Sequence, residues 1–157
     1  MKTIRFISVW IIVCFSVQSP ILSAQTPYEN SARKEIRWQT NLQKAFGIAA
    51  KSNKPLLVEF MAEWCPSCKA MDDSTFKFSN VIRKVNDFIP VRIDVDKQKS
   101  LTVRYKASAR KYGGIGIPNI LFMDKNGNKI RHRIGYMDAA QFVSVMDSVL
   151  TEIRSGR

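Results

Sequence analysis

Cys65 and Cys68 stand two residues apart in Trp64-Cys65-Pro66-Ser67-Cys68-Lys69, directly after the apolar run that ends at Phe60-Met61. On a helix this spacing puts one thiol in the first turn and the other a turn later, close enough to open and close a disulfide without moving the backbone. The chemistry it suits is redox exchange at sulfur. Pro66 has no N–H to lose and suits the first helical position, so a helix is expected to begin at the cysteines. A sulfur at that point receives backbone N–H groups and the positive end of the helix dipole, which can bring a thiol pKa from about 8.5 toward roughly 3.5–7.5. Cys65 is therefore the expected attacking thiolate, and Cys68 the thiol that resolves the mixed disulfide.

Two neighbours bear on that chemistry. Glu59 is the charged residue in an otherwise apolar strand, and a buried carboxylate costs several kcal/mol unless it is paired or stays protonated. It can serve as a proton carrier for Cys68 or as a structural acid paired with a cation such as Arg92 on an adjacent strand. Trp64 offers an amphipathic surface beside the sulfur, for a substrate to rest on or for plain packing. Glu63 and Lys69 tune the local field, and His132, in a hairpin, reads as a surface residue. A zinc site wants four ligands, and two thiols with one distant histidine do not supply them, so neither a metal nor another cofactor is expected.

The element that presents the cysteines is legible on both sides. Leu56 to Met61 is a nearly continuous apolar run of strand length, as expected for a strand covered on both faces in the middle of a sheet. Before it, Thr40 and Gln43 have capping-box form, and Leu42, Ala45, Phe46 and Ala49 recur at helical spacing up to Ser52-Asn53. Glu35 to Trp38 can add a short edge strand. The cysteine helix is expected to break around Asp72 to Thr75 and resume near Val81, and Ile89 to Val95 alternates as a strand. A third helix falls between Leu101 and Tyr112, closed by Gly113-Gly114. After Pro118, Asn119 to Met123, Asn126-Gly127 and Lys129 to Ile134 read as a hairpin whose tight turn uses the positive φ angles that Asn-Gly favours. Asp138 and Gln141 cap a last helix with the apolar stripe Ala139, Phe142, Val143, Met146, Val149, Leu150 and Ile153. Helices between parallel strands followed by an antiparallel hairpin imply an α/β fold with a mixed sheet and helices on both faces.

The first 24 residues have the form of an export signal: Lys2 and Arg5, an apolar stretch from Phe6 to Val17, then Ser23-Ala24 before Gln25. The expected division is a signal peptide over 1–24, an N-terminal arm over 25–37 and one domain over 38–157. Cleavage removes Cys14 and leaves only Cys65 and Cys68, a closely spaced pair suited to exchange in an oxidising compartment. A membrane anchor is the alternative, but the apolar stretch is shorter than the roughly 20 residues that a spanning helix needs. The net charge of +12 becomes +10 once Lys2 and Arg5 leave with no acidic residue among 1–24. The basic residues are scattered and lack a nucleic-acid motif or a platform of neighbouring aromatics, so no nucleic-acid partner is expected.

The stretch Val58-Glu59-Phe60-Met61-Ala62-Glu63-Trp64-Cys65-Pro66-Ser67-Cys68-Lys69 resembles the active-site segment of the thioredoxin family. Lys111-Tyr112-Gly113-Gly114-Ile115-Gly116-Ile117-Pro118 resembles its cis-proline segment, and the likeness covers roughly Trp38 to Leu150. Within the family, Asn53-Lys54-Pro55, Cys68-Lys69-Ala70-Met71-Asp72 and Thr75-Phe76 look most like the exported, thioredoxin-like C-terminal domains of membrane thiol reductases. The resemblance implies a thioredoxin fold and thiol-disulfide exchange outside the cytoplasm, in the periplasm. It implies a cis bond before Pro118 facing the cysteines, with the Ile117 backbone free to pair with an extended substrate. Protein disulfides are the implied substrates, a membrane thiol reductase the implied donor, and a monomer is expected. The sequence departs from the family in having Glu59 where an aspartate is usual and Pro66-Ser67 between the cysteines, so oxidant or isomerase action, or a carrier of copper or zinc, stand as alternatives to a reductase.

Overall fold

The computed structural model describes residues 35–110 and 116–156, the side chains of 105–110 excepted. The expected signal peptide, most of the arm and the Gly113-Gly114 helix stop lie outside the described residues. A four-stranded sheet in the order β2-β1-β3-β4 forms the centre, from β1 (Leu56–Met61), β2 (Ile89–Asp94), β3 (Asn119–Met123) and β4 (Lys129–Ile134). β1 pairs parallel with β2 and antiparallel with β3, and β3 pairs antiparallel with β4, giving the mixed sheet expected. The register sets Glu59 opposite Arg92 on one side and Ile120 on the other.

Alternation along β1 divides the core. Leu57 faces one layer with Met71, Phe76, Phe88, Ile120, Phe122, Phe142 and Met146. Leu56, Val58 and Phe60 face the other, with Leu42, Ala45, Val91, Ile93 and Leu121. The first layer is roofed by α2 (Pro66–Asp73), a 3₁₀ turn over Thr75–Lys77, α3 (Ser79–Val85) and α5 (Ala139–Arg154); α1 (Leu42–Ser52) covers the second. α4 (Lys99–Arg110) supplies the crossover between β2 and β3. Phe88, Phe122 and Phe142 are almost wholly enclosed, each contributing roughly 1.5–3 kcal/mol by leaving water. Among the described residues no helix is long and apolar enough to cross a membrane.

Local chemistry revises three expectations. Asn41 rather than Thr40 caps α1, its Oδ1 accepting the N–H of Lys44 at 2.9 Å, and Asn53 ends the helix at φ 54°. Instead of an edge strand over 35–38 there is an isolated parallel bridge: Gln39 N–H donates to Pro90 O, and Arg92 N–H donates to Gln39 O. The hairpin turn is wider than a two-residue Asn-Gly loop. Asp124 Oδ1 accepts from the N–H groups of Asn126 and Asn128, and only Gly127 takes a positive φ, because the aspartate gathers the loop's N–H groups in place of primed-turn geometry. The Asp138/Gln141 capping box at the start of α5 forms as expected.

Candidate functional site

β1 leaves the sheet at Met61, and the chain turns through Ala62-Glu63-Trp64 into α2. The turn is held by the Cys65 N–H donating to Ala62 O. Cys65 is the N-cap of α2 and Pro66 its first residue. The sulfur of Cys65 takes the place a serine or aspartate oxygen usually holds at a cap, accepting the Cys68 N–H at 3.2 Å. A helix N-terminus favours negative charge at its cap, a charge that Cys65 can carry only when the disulfide is open. The two sulfurs are joined as a disulfide with their Cα atoms 5.3 Å apart. Cys65 keeps 3 % of its surface and Cys68 none, so of the two residues only the first borders solvent.

The other predicted residues fall into two groups. Ile117 joins the cysteines: its carbonyl oxygen lies 3.7 Å from Cys65 Sγ, within reach of a thiol proton there, and its side chain packs against the pair together with Met61 and Val95. Pro118 is buried, and the Ile117–Pro118 peptide bond is cis. Trp64 is 65 % exposed beside the pair, its Nε1–H donating to Asp96 Oδ2 at 2.7 Å. The next residue back, Glu63, receives Lys97 Nζ at 2.5 Å, so the loop after β2 clasps the loop before α2 twice. His132 lies half-buried on β4 opposite Leu121, away from this group. Among the described residues no three or more His, Cys, Asp or Glu side chains gather as a metal site.

Glu59 is fully enclosed on β1 and makes its contacts with a cation. Arg92 Nε donates to Glu59 Oε2 at 2.7 Å, and Arg92 Nη2 donates to Asp72 Oδ1 at 2.6 Å. The guanidinium lies against the rings of Trp38, at 4.5 Å, and Phe76, at 5.6 Å, which themselves meet edge to face. Among the described residues Glu59 Oε1 has no hydrogen-bond partner. Burial lifts the Glu59 pKa from 4.5 to about 7; the charge and hydrogen bond of Arg92 pull it down, and the charge of Asp72 adds to the rise. Desolvation outweighs the ion pair, so the acid changes charge near neutral pH. Pairing with Arg92 was one of the two readings open from the sequence. The bridge to Asp72 and the stacking on Trp38 were not anticipated, although Asp72 follows Cys68 by four residues and so shares its helix face.

The arrangement is that of a known domain. The family model for a thioredoxin-like domain matches residues 42–150. The thiol:disulfide interchange protein DsbD of Yersinia pestis (strain Pestoides F) is 31 % identical over 120 residues, 73 % of this chain and 20 % of that protein. DsbD of Vibrio vulnificus (strain CMCP6) is 28 % identical over 123 residues, 77 % of this chain and 20 % of that protein. The chain thus spans about a fifth of the length of the curated relatives it matches. Among solved structures, the reduced C-terminal domain of Neisseria meningitidis DsbD is similar at a TM-score of 0.54 and 27 % identity, over 68 % of this chain and 92 % of that one. A thioredoxin from Thermus thermophilus shares the fold at a TM-score of 0.60 and 21 % identity, over 75 % of this chain and 89 % of that one. With a Cys-X-X-Cys pair at the head of α2, a mixed sheet behind it and a family match spanning most of the domain, the chain belongs to the thioredoxin-like family.

Proposed function

We propose that this chain is an exported thiol-disulfide oxidoreductase that reduces protein disulfides with the Cys65/Cys68 dithiol. One observation carries the reading. Cys65 caps α2 with its sulfur on the Cys68 N–H, so a single helix start both favours the thiolate and fixes the second sulfur within bonding reach of it. In the forward cycle the Cys65 thiolate attacks a substrate disulfide, forming Cys65–S–S–R and expelling R′–S⁻. Cys68, deprotonated, then attacks Cys65 Sγ, closing the intramolecular disulfide and releasing R–S⁻. Two electrons and two protons from a membrane thiol reductase return the pair to the dithiol.

Each surrounding residue has a part in this proposal. Trp64 supplies an amphipathic resting surface beside the sulfur. The Ile117 backbone pairs with an extended substrate segment, and Pro118, with no N–H, keeps that edge clear. Glu59 takes the proton of Cys68 and gives it back, a role suited to an acid that titrates near 7. Export follows from the leader-like residues 1–24, and the chain acts as a monomer. The test is insulin reduction with dithiothreitol, run beside C65S and C68S. The parent should precipitate insulin well above the uncatalysed rate and both variants should not; a parent with no activity would point to a carrier instead.

A further inference from the structure

Glu59 and Asp72 reach Arg92 from different elements, one from the middle strand and one from the helix that carries the cysteines. Arg92 is 22 % exposed and Asp72 36 %, while Glu59 is enclosed. The guanidinium cannot pass a proton on, because it stays protonated in proteins. Its service is electrostatic. If Glu59 were its only partner, each protonation of Glu59 would strand a largely buried cation, at a cost that opposes the proton transfer. With Asp72 on its second nitrogen, Arg92 keeps a counter-ion whichever state Glu59 is in. The guanidinium also rests against the rings of Trp38 and Phe76, which helps to keep it in place when the bond to Glu59 weakens. Glu59 Oε1, without a hydrogen-bond partner among the described residues, is an oxygen that can receive a proton.

The placement links this cluster to the dithiol. Glu59 shares a strand face with Met61, which packs against the cysteine pair. Asp72 sits one turn after Cys68 on α2. The charged groups acting on Glu59 are Arg92 from β2 and Asp72 from α2; Asp73 is committed to Lys77 at 3.1 Å, and β3 contributes the apolar Ile120. We propose that Arg92 and Asp72 are positioning residues for the resolving step, with Asp72 the standby counter-ion that lets Glu59 cycle its charge as Cys68 is deprotonated. This rests on Glu59 being the proton acceptor. The step balances as Cys68–SH plus Glu59–COO⁻ giving Cys68–S⁻ plus Glu59–COOH. The thiolate then displaces R–S⁻ from Cys65–S–S–R, and R–S⁻ recovers a proton from Glu59 or from water.

The test is stopped-flow reaction of the reduced full chain with 5,5′-dithiobis(2-nitrobenzoate) across pH 5 to 10. Attack by Cys65 releases one thionitrobenzoate and resolution by Cys68 the second, and C68S marks the first phase by lacking the second. In the parent the second phase should rise with a midpoint near 7. E59Q should move that midpoint up toward the ordinary thiol value of about 8.5. D72N should move it down by half a unit or more, since it removes the charge that raises Glu59 and leaves Arg92 to Glu59 alone, and D72E should restore it. An unchanged E59Q profile overturns the proton role of Glu59 itself. A shifted E59Q with an unmoved D72N, folded by near-ultraviolet circular dichroism, overturns the role of Asp72 and leaves that of Glu59 standing.

Discussion

The Cys68 N–H donates to Cys65 Sγ across 3.2 Å, so in the proposed cycle the residue that resolves is also the one whose backbone stabilises the sulfur that attacks. The asymmetry of burial goes the same way, with Cys65 bordering solvent and Cys68 enclosed. The two cysteine variants should therefore fail differently. C68S should retain attack and accumulate a protein-substrate mixed disulfide at Cys65, visible by mass spectrometry after acid quench. C65S should accumulate none, and both should lose at least about 100-fold in turnover, as removal of a nucleophile does. Equal trapping by the two variants would show that the order of attack is wrong.

Glu59 predicts a pH dependence of stability with an unusual sign. Its folded pKa, about 7, lies above the ordinary 4.5, so between these values the folded state binds more protons than the unfolded one. Its contribution to stability should be unaffected below about 4.5, fall as pH rises through that window, and stay low above 7, by about 3 kcal/mol at about 1.4 kcal/mol per pKa unit. Asp94 and Asp124 work in the other direction. Partial burial pushes each up, but the hydrogen bonds Asp94 accepts from Lys97 and Asp96, and Asp124 from Asn128, Asn126 and Gly127, hold both below the usual 3.8. What they contribute is lost only as pH falls below that value, outside the Glu59 window. Denaturant unfolding from pH 4.5 to 8 should show the fall in the parent and its absence in E59Q; a fall of the same size in E59Q would assign it elsewhere.

The Trp64 indole is held by a surface carboxylate, Asp96, rather than by packing. A hydrogen bond to a charged group is worth about 1.5–3 kcal/mol when shielded and less when wet, so D96A should loosen the indole without unfolding the domain. The expected result with a disulfide-containing peptide substrate is KM raised about 3- to 10-fold, kcat nearly unchanged, and unfolding free energy within about 0.5 kcal/mol of the parent. A loss confined to kcat would mean that the indole does not serve as a resting surface.

What could be read from the sequence was what is fixed locally. The run Leu56–Met61 became the central strand, Pro66 opened α2 at the cysteines, and Asp138 with Gln141 closed a capping box, because each depends on residues within one or two turns. Turns governed by a side chain a few residues away were harder. Asp124 reorganised the Asn126-Gly127 turn, and Asn41 displaced Thr40 as a cap, since either residue type satisfies the same N–H groups. The Glu59, Arg92, Asp72 and Trp38 cluster draws on β1, β2, α2 and the bridge before α1. The pairing of Glu59 with Arg92 needs only neighbouring strands, whereas the remaining contacts depend on the parallel register and the Gln39 bridge, neither of which is written in any one segment.

The direction of exchange is the core of the proposal, and the equilibrium potential of the Cys65/Cys68 couple against glutathione tests it most directly. A reductase predicts a value near or below about −220 mV, in the range of glutaredoxins and thioredoxin; a value near about −120 mV, that of a strong oxidant, would contradict it.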